Sequence, residues 1–399
     1  MTLGTPRLTA GRIALLSLIA LALAALIPAG ASASSIVHIR DGNVWLTSGD
    51  GTTSRQVTSG GNWHSPTQAD DGTIAAVQGA DAPITIMNGY GQVLRTIATP
   101  AGAAISNGGT FAARPVNLDF SPDGSKIAYE YAASSCPVAS SCGARNSTFY
   151  THADRETPVS EFGNQYNIGD PSFVSNTRAL AFGGAGSHVN LDDLGGGDDS
   201  ERLWFNDSEN LDVSDGELSR QNDRLVTLRD YGADTFVQIY GVTSGNPSTD
   251  DPGPLPAAVP ACEITPGDEN YSDPTWSPDG RQLVFGSSNG ITLVNLPQVI
   301  AAQDGRLGEC PGASIPDAPL IAGGTQPDWG PANVPVGEPP KVPGADDPVA
   351  NPACAKAEGK LAKAKAKLKR AKKKGDDDKI KKAKKKVKAA KDAAKAACK

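Results

Sequence analysis

Apolar positions along this chain fall in short runs, most of them alternating with polar ones, and each run ends in a cluster of Gly, Pro, Asp, Asn or Ser. A period of two with such punctuation predicts strands joined by tight turns. Two stretches show the unit plainly: Leu118-Asp119-Phe120-Ser121-Pro122-Asp123-Gly124-Ser125-Lys126-Ile127-Ala128-Tyr129 and Pro274-Thr275-Trp276-Ser277-Pro278-Asp279-Gly280-Arg281-Gln282-Leu283-Val284-Phe285. In each, an aromatic residue ends a first strand and Ser-Pro-Asp-Gly turns the chain. Pro presets φ, Gly takes a conformation that side chains avoid, and alternating apolar residues build the second strand.

Weaker copies fill the gaps. Ser65-Pro66-Thr67 leads through Asp71-Gly72 to a strand over 73–78. Asp170-Pro171-Ser172-Phe173 leads to 178–182, and Leu218 leads through Asn222-Asp223 to 224–229. Gln326-Pro327-Asp328-Trp329 is a last copy with no partner strand after it. The copies start near 65, 120, 172, 218, 275 and 328, a period that suits four short strands per repeat. At the other end, 35–40, 44–47 and 55–58 look like a repeat that lacks its first strand. Joining the two ends predicts an all-β, six-bladed propeller over 34–330, closed by pairing of N- and C-terminal strands. Closure removes sheet edges that would otherwise template aggregation. An open solenoid or a pair of sandwiches are the alternatives.

The Ser-Pro-Asp-Gly hairpins, with the segment Val44-Trp45-Leu46-Thr47 and its continuation Gly51, Arg55-Gln56-Val57-Thr58, resemble the TolB-like β-propeller family. The resemblance covers roughly 35–330 and lacks the N-terminal α/β domain of TolB. It implies a propeller fold and a binding platform, and says little about activity.

Ahead of the repeats, Arg7 and Arg12 precede an apolar run over 13–27, then Pro28 and the small residues Ala31-Ser32-Ala33. This pattern predicts a secretory signal peptide over 1–33, with a run too short for the roughly 20 residues a bilayer needs. The expected location is secreted or envelope-associated, and periplasmic if an outer membrane exists. Export makes disulfides the expected state of the six cysteines. Sequence order suggests Cys136–Cys142, Cys262–Cys310 and Cys354–Cys398 among the 15 pairings open to six cysteines.

Charge changes the picture. The formal net charge is −7, but residues 1–353 carry 17 basic and 39 acidic side chains, whereas 354–399 carry 20 basic and 5 acidic. An acidic body and a basic tail are two objects with different partners. Within the body, residues 186–217 gather Asp192, Asp193, Asp198, Asp199, Glu201, Asp207, Glu209, Asp212, Asp215 and Glu217. An oxygen-rich loop of this kind is the one place where Ca²⁺ is considered, against a solvated acidic insertion. No other cofactor is expected. Gly286-Ser287-Ser288-Asn289-Gly290 formally matches G-x-S-x-G, but strands flank it on both sides, so a hairpin turn is expected in place of a nucleophile elbow. His38, His64, His152 and His188 fall in four successive repeats, and a propeller enzyme would require at least three of them to converge on the channel.

Residues 331–353 hold seven prolines and predict an extended linker reaching roughly 70 Å at about 3.1 Å per residue. Beyond it the chain is almost entirely Lys and Ala, both strong helix formers, interrupted by Gly375 and Asp376–Asp377–Asp378. Cys354, Leu361 and Leu368 lie seven apart, as do Ile380, Val387 and Ala394. Ala357, Ala364 and Ala371, and Ala383, Ala390 and Ala397, lie three residues later. Two heptad seams predict an antiparallel helical hairpin over 354–399, stapled at its open end by Cys354–Cys398. Lys363, Lys367, Arg370, Lys374, Lys381, Lys385 and Lys388 are the residues expected to meet an anionic envelope polymer or lipid headgroups. The tail has no aromatic residue to stack on bases, which argues against sequence-specific nucleic acid.

The expectation is therefore an exported, monomeric, non-enzymatic binding protein. A propeller face takes an unidentified protein or ligand, and a basic tail tethers it. A propeller hydrolase or lyase using channel histidines, or docking of the tail on the acidic body, are the alternatives, with a TolB-like envelope assembly factor the third.

Overall fold

A computed structural model describes residues 34–80, 83–98, 115–135, 143–155, 164–166, 168–183, 188–194, 200–206, 213–231, 234–242, 257–265, 270–296 and 309–339, and in the tail 363–365, 367–369, 381, 383–389 and 391. The signal segment, Cys136, Cys142, Cys354, Cys398, Arg370 and Lys374 lie outside them. The chain divides into two units, Met1–Pro335 and Val336–Lys399.

The first unit is a ring of six four-stranded antiparallel sheets. Blade 1 joins both ends of the ring: β1 (Ser35–Arg40), β2 (Asn43–Ser48) and β3 (Ser54–Gln56) are completed by the last strand, β24 (Gly324–Gly330). Blade 2 holds β4 (Trp63–Gln68), β5 (Ile74–Gln78), β6 (Ile84–Met87) and β7 (Val93–Ile97). Blade 3 holds β8 (Pro115–Phe120), β9 (Lys126–Ser135), β10 (Gly143–His152) and β11 (Asn164–Tyr166). Blade 4 holds β12 (Ile168–Phe173), β13 (Arg178–Gly183), β14 (His188–Asp193) and β15 (Ser200–Asn206). Blade 5 holds β16 (Val213–Leu218), β17 (Arg224–Tyr231), β18 (Asp234–Val242) and β19 (Ala258–Ile264). Blade 6 holds β20 (Ser272–Trp276), β21 (Gln282–Ser287), β22 (Gly290–Asn295) and β23 (Ile321–Ala322). The predicted closure is present: Ser35 to Val37 pair with Gly330 to Asp328.

Six buried clusters hold the ring, one at each joint between blades. Val37, Val44 and Leu46 meet Ile74, Ala76 and Met87 between blades 1 and 2. Val77, Ile84 and Ile86 meet Phe120, Ile127 and Tyr129 between blades 2 and 3. Tyr150 and Ala128 meet Phe173 and Ala179 between blades 3 and 4, and Leu180 and Phe182 meet Val213 and Leu225 between blades 4 and 5. Val226 and Ile239 meet Trp276 and Phe285 next, and Val284 and Ile291 meet Ile36 and Trp329 where the ring closes. A strand covered on both faces needs no polar side, which is why Ile74 to Val77 and Leu283 to Phe285 are buried without alternation.

Turn chemistry sets the register of each hairpin. In blade 3 the Gly124 amide donates to the Ser121 carbonyl (2.8 Å), with Gly124 at φ 67°, and Ser121 Oγ accepts from the Lys126 amide (2.9 Å). Blade 6 repeats this with Ser277, Gly280 and Gln282. Cys262, on β19, bonds Cys310, as sequence order suggests. The linker does not begin free: Val334 packs into the cluster between blades 1 and 2, and Arg55 donates to the Pro335 carbonyl (3.2 Å). No helix among the described residues is long and apolar enough to cross a membrane.

In the second unit the described residues from Lys363 to Lys391 are helical. Ala364, Leu368, Ala383 and Val387, all on the heptad positions, are half-buried, whereas Lys363, Lys367, Lys381, Lys385 and Lys388 are exposed.

Candidate functional site

The innermost strands β4, β8, β12, β16, β20 and β24 line the central channel, each next to the following one around the ring. All six carry the same irregularity. Ser65, Asn117, Asp170, Asp215, Asp273 and Gln326 adopt left-handed backbone, with φ between 36° and 53°. The pairing register slips at each of these points. Left-handed backbone costs a residue with a side chain about 1–2 kcal/mol. Asn and Asp, at four of the six sites, tolerate it best. Pro66, Pro171, Pro274 and Pro327 follow directly, in a bulge position that needs no ladder N–H.

What offsets that cost is a double ring of hydrogen bonds from blade to blade. In the first, Ser65 Oγ accepts from the Asn117 amide (3.1 Å), and Asn117 Nδ2 donates to Asp170 Oδ1 (2.6 Å). Asp170 Oδ2 accepts from the Asp215 amide (3.3 Å), Asp215 Oδ2 from the Asp273 amide (2.9 Å), and Gln326 Oε1 from the Ser65 amide (2.9 Å). In the second, Thr67 Oγ1 accepts from the Phe120 amide (3.2 Å) and Asp119 from the Phe173 amide. Glu217 Oε2 accepts from the Trp276 amide (2.9 Å), Thr275 Oγ1 from the Trp329 amide (3.2 Å), and Asp328 Oδ2 from the Gln68 amide (2.8 Å). Every joint is fastened by at least one of these bonds. Glu130, on β9, adds a branch: it accepts from Asn117 Nδ2 and from the Asp170 amide, both at 3.0 Å.

Inside the ring lies a cavity of about 390 Å³. Its described lining holds seven acidic residues, Asp70, Asp119, Asp170, Asp215, Glu217, Asp273 and Asp328, and one basic residue, Arg220. Burial is the first cause of a common electrostatic consequence, and repulsion from neighbouring carboxylates adds to it at all of them except Asp170. Asp119 and Asp215 are pushed well above the usual carboxylate range, Asp170, Asp273 and Asp328 are raised, and Glu130 and Glu217 are pushed up to about 7. Chemically the ring is a set of carboxyl acceptors for backbone amides.

The histidines do not converge. His38 is buried on β1, 2.9 Å from Thr47 Oγ1, and burial lowers its pKa to about 4. His64 is the second residue of β4 and lies 3.0 Å from the Gly79 carbonyl oxygen. His188 starts the third strand of blade 4, whereas His152 ends the third strand of blade 3. Third strands run parallel to their innermost strands, so these two sit at opposite ends of the ring. Among the described residues no group of three or more His, Cys, Asp and Glu could hold a metal ion. The channel-histidine centre is therefore not formed.

The acidic stretch also differs from its expectation as one loop. Asp192 and Asp193 lie on β14 and Glu201 on β15, while Asp215 and Glu217 belong to the channel ring. Asp192 accepts from the Tyr150 hydroxyl and Asp193 pairs with Arg178. Strand register, which alternates side chains between faces, scatters these carboxylates over two blades. Asp198, Asp199, Asp207, Glu209 and Asp212 lie outside the described residues. Ser288-Asn289 is the expected hairpin turn, with Ser287 paired to Gly290. The ring itself went unrecognised in the sequence, although its signal is there: a polar residue, Pro, one polar residue and an aromatic, repeated at Asp170, Asp273 and Gln326.

No protein-family model matches the chain, and no curated protein matches it. Solved structures do resemble it in fold. The periplasmic gluconolactonase of Pseudomonas aeruginosa is 12% identical, over 76% of this chain and 99% of that one, with a TM-score of 0.45. The oligogalacturonate lyase of Vibrio parahaemolyticus is 11% identical, over 67% and 78%, with a TM-score of 0.41. A chain of the nidogen/laminin complex is 8% identical, over 74% and 98%, with a TM-score of 0.45. Likenesses at this level carry no conclusion for this chain.

Proposed function

We propose that this is an exported recognition protein of TolB-like type, in which the propeller presents a binding face and the Lys-rich tail holds it to an anionic envelope surface. The observation that carries the reading is the division of charge. An acidic propeller is followed by a tail whose described lysines are all exposed while Ala364, Leu368, Ala383 and Val387 are shielded. A dense array of solvated lysines attracts polyanions without geometric selection, and salt screens that attraction. The channel supports a binding role over chemistry, because its carboxylates are engaged as fasteners. Glu217, which burial pushes up to about 7, holds the Trp276 amide of the next blade.

The test is fractionation of cells expressing the intact chain or a version ending at Gly344, with envelopes washed at increasing salt. Salt-released retention of the intact protein alone is expected. Equal release of both versions refutes the tether.

A further inference from the structure

We infer that Asp70 and Arg220 form a latch that bars one end of the channel, with Arg220 acting as a tethered cation over the acidic ring. The two residues occupy equivalent places. In blades 2, 3, 5 and 6 the innermost strand ends in a turn, closed by the Gly72 amide on Ala69, Gly124 on Ser121, Asn222 on Ser219 and Gly280 on Ser277. The second residue of that turn is Pro122 in blade 3 and Pro278 in blade 6, but Asp70 in blade 2 and Arg220 in blade 5. Proline there presets the turn and offers no charged side chain. The exceptions are a carboxylate and a guanidinium.

Their placement makes a bar. Blades 2 and 5 are three apart in a ring of six, so a bond between their turns must cross the channel axis. Arg220 makes that crossing with both arms of its fork, Nη1 to Asp70 Oδ2 at 3.0 Å and Nη2 to Oδ1 at 2.6 Å. Both turns are tied to their neighbours. The Asp70 amide donates to the Pro122 carbonyl and Gln221 Nε2 to the Pro278 carbonyl, each at 3.1 Å. Glu217 and Asp328, one layer deeper, also attract the guanidinium. Arg220 is thus the single basic residue among the described lining of a cavity with seven acidic ones. The side chains of the pair remain 34% and 40% exposed. An ion pair so open to water is weak enough to exchange with a competing cation. Asp70 keeps the arginine across the opening, and the arginine keeps other cations out. This inference is independent of what the tail does.

Tb³⁺ titration of the intact protein at pH 7.5, above the value of about 7 to which Glu217 is pushed, read by tryptophan-sensitised luminescence, tests it. Trp329 lines the cavity and Trp276 adjoins it through Glu217. The variant Arg220→Gln removes the charge and leaves a shorter, neutral polar side chain. It is expected to bind Tb³⁺ at least fivefold more tightly than the unaltered protein, and the double variant Arg220→Gln/Glu217→Gln to lose that gain. A smaller gain, or one that survives Glu217→Gln, overturns the latch. Circular dichroism melts confirm that each variant is folded.

Discussion

Glu217→Gln isolates one carboxyl of the ring. In the folded protein, burial first and then the nearby Asp328 carboxylate push Glu217 from 4.5 up to about 7. Between those values the folded state keeps a proton that the unfolded chain has released. Stability from this group is therefore full below about pH 4.5 and is lost as pH rises through about 7. The ceiling, at about 1.4 kcal/mol per pH unit, is about 3.4 kcal/mol. Glu217 borders a wet cavity, so about 1–2 kcal/mol is the expected cost at pH 8. Glutamine is neutral throughout and still offers an oxygen to the Trp276 amide, which donates at 2.9 Å in the native protein. The variant should melt with the unaltered protein at pH 4.5 and above it at pH 8. At about 2–4 °C per kcal/mol, the gap should be about 2–8 °C. Circular dichroism or fluorescence melts of both proteins from pH 4.5 to 8 measure it. A gap that stays constant across this range, or a variant that loses ground as pH rises, would show that Glu217 is not held protonated by the ring.

Other expectations follow from the same packing. Reducing Cys262–Cys310, or replacing both with Ser, opens a link of sequence separation 48. The chain-entropy account puts the loss at about 4 kcal/mol, read as a lower melting temperature in reductant. Trp329→Ala removes a side chain 2% exposed between blades 6 and 1, where the ring closes. About 3–5 kcal/mol should go with it, and a denaturant midpoint equal to that of the unaltered protein would contradict the closure account.

Much of this architecture is visible in the order of residues, because its causes are local. Ser-Pro-Asp-Gly makes the same turn wherever it occurs, and period-two runs beside it make strands, so repeats and their spacing predicted the blades. The unpaired Gln326-Pro327-Asp328-Trp329 predicted β24 and the closure with Ser35–Arg40. Separation along the chain also suggested Cys262–Cys310. Heptad spacing marked Ala364, Leu368, Ala383 and Val387 as the shielded side of the tail.

The channel was decided elsewhere. Asp119, Asp170, Asp215, Glu217, Asp273 and Asp328 are spread over some 200 residues, and closing the ring is what stacks them around one axis. In sequence, Asp215 and Glu217 looked like part of an acidic loop. In the fold they are fasteners, because the bulge in β16 turns them toward blade 6. The histidines show the converse: four successive repeats carry one each, yet strand position and direction disperse them. Asp70 and Arg220 are 150 residues apart and meet only because six blades put blade 2 opposite blade 5. Local chemistry specifies a blade, but which charges face one another depends on how many blades close the circle, a property of the whole chain.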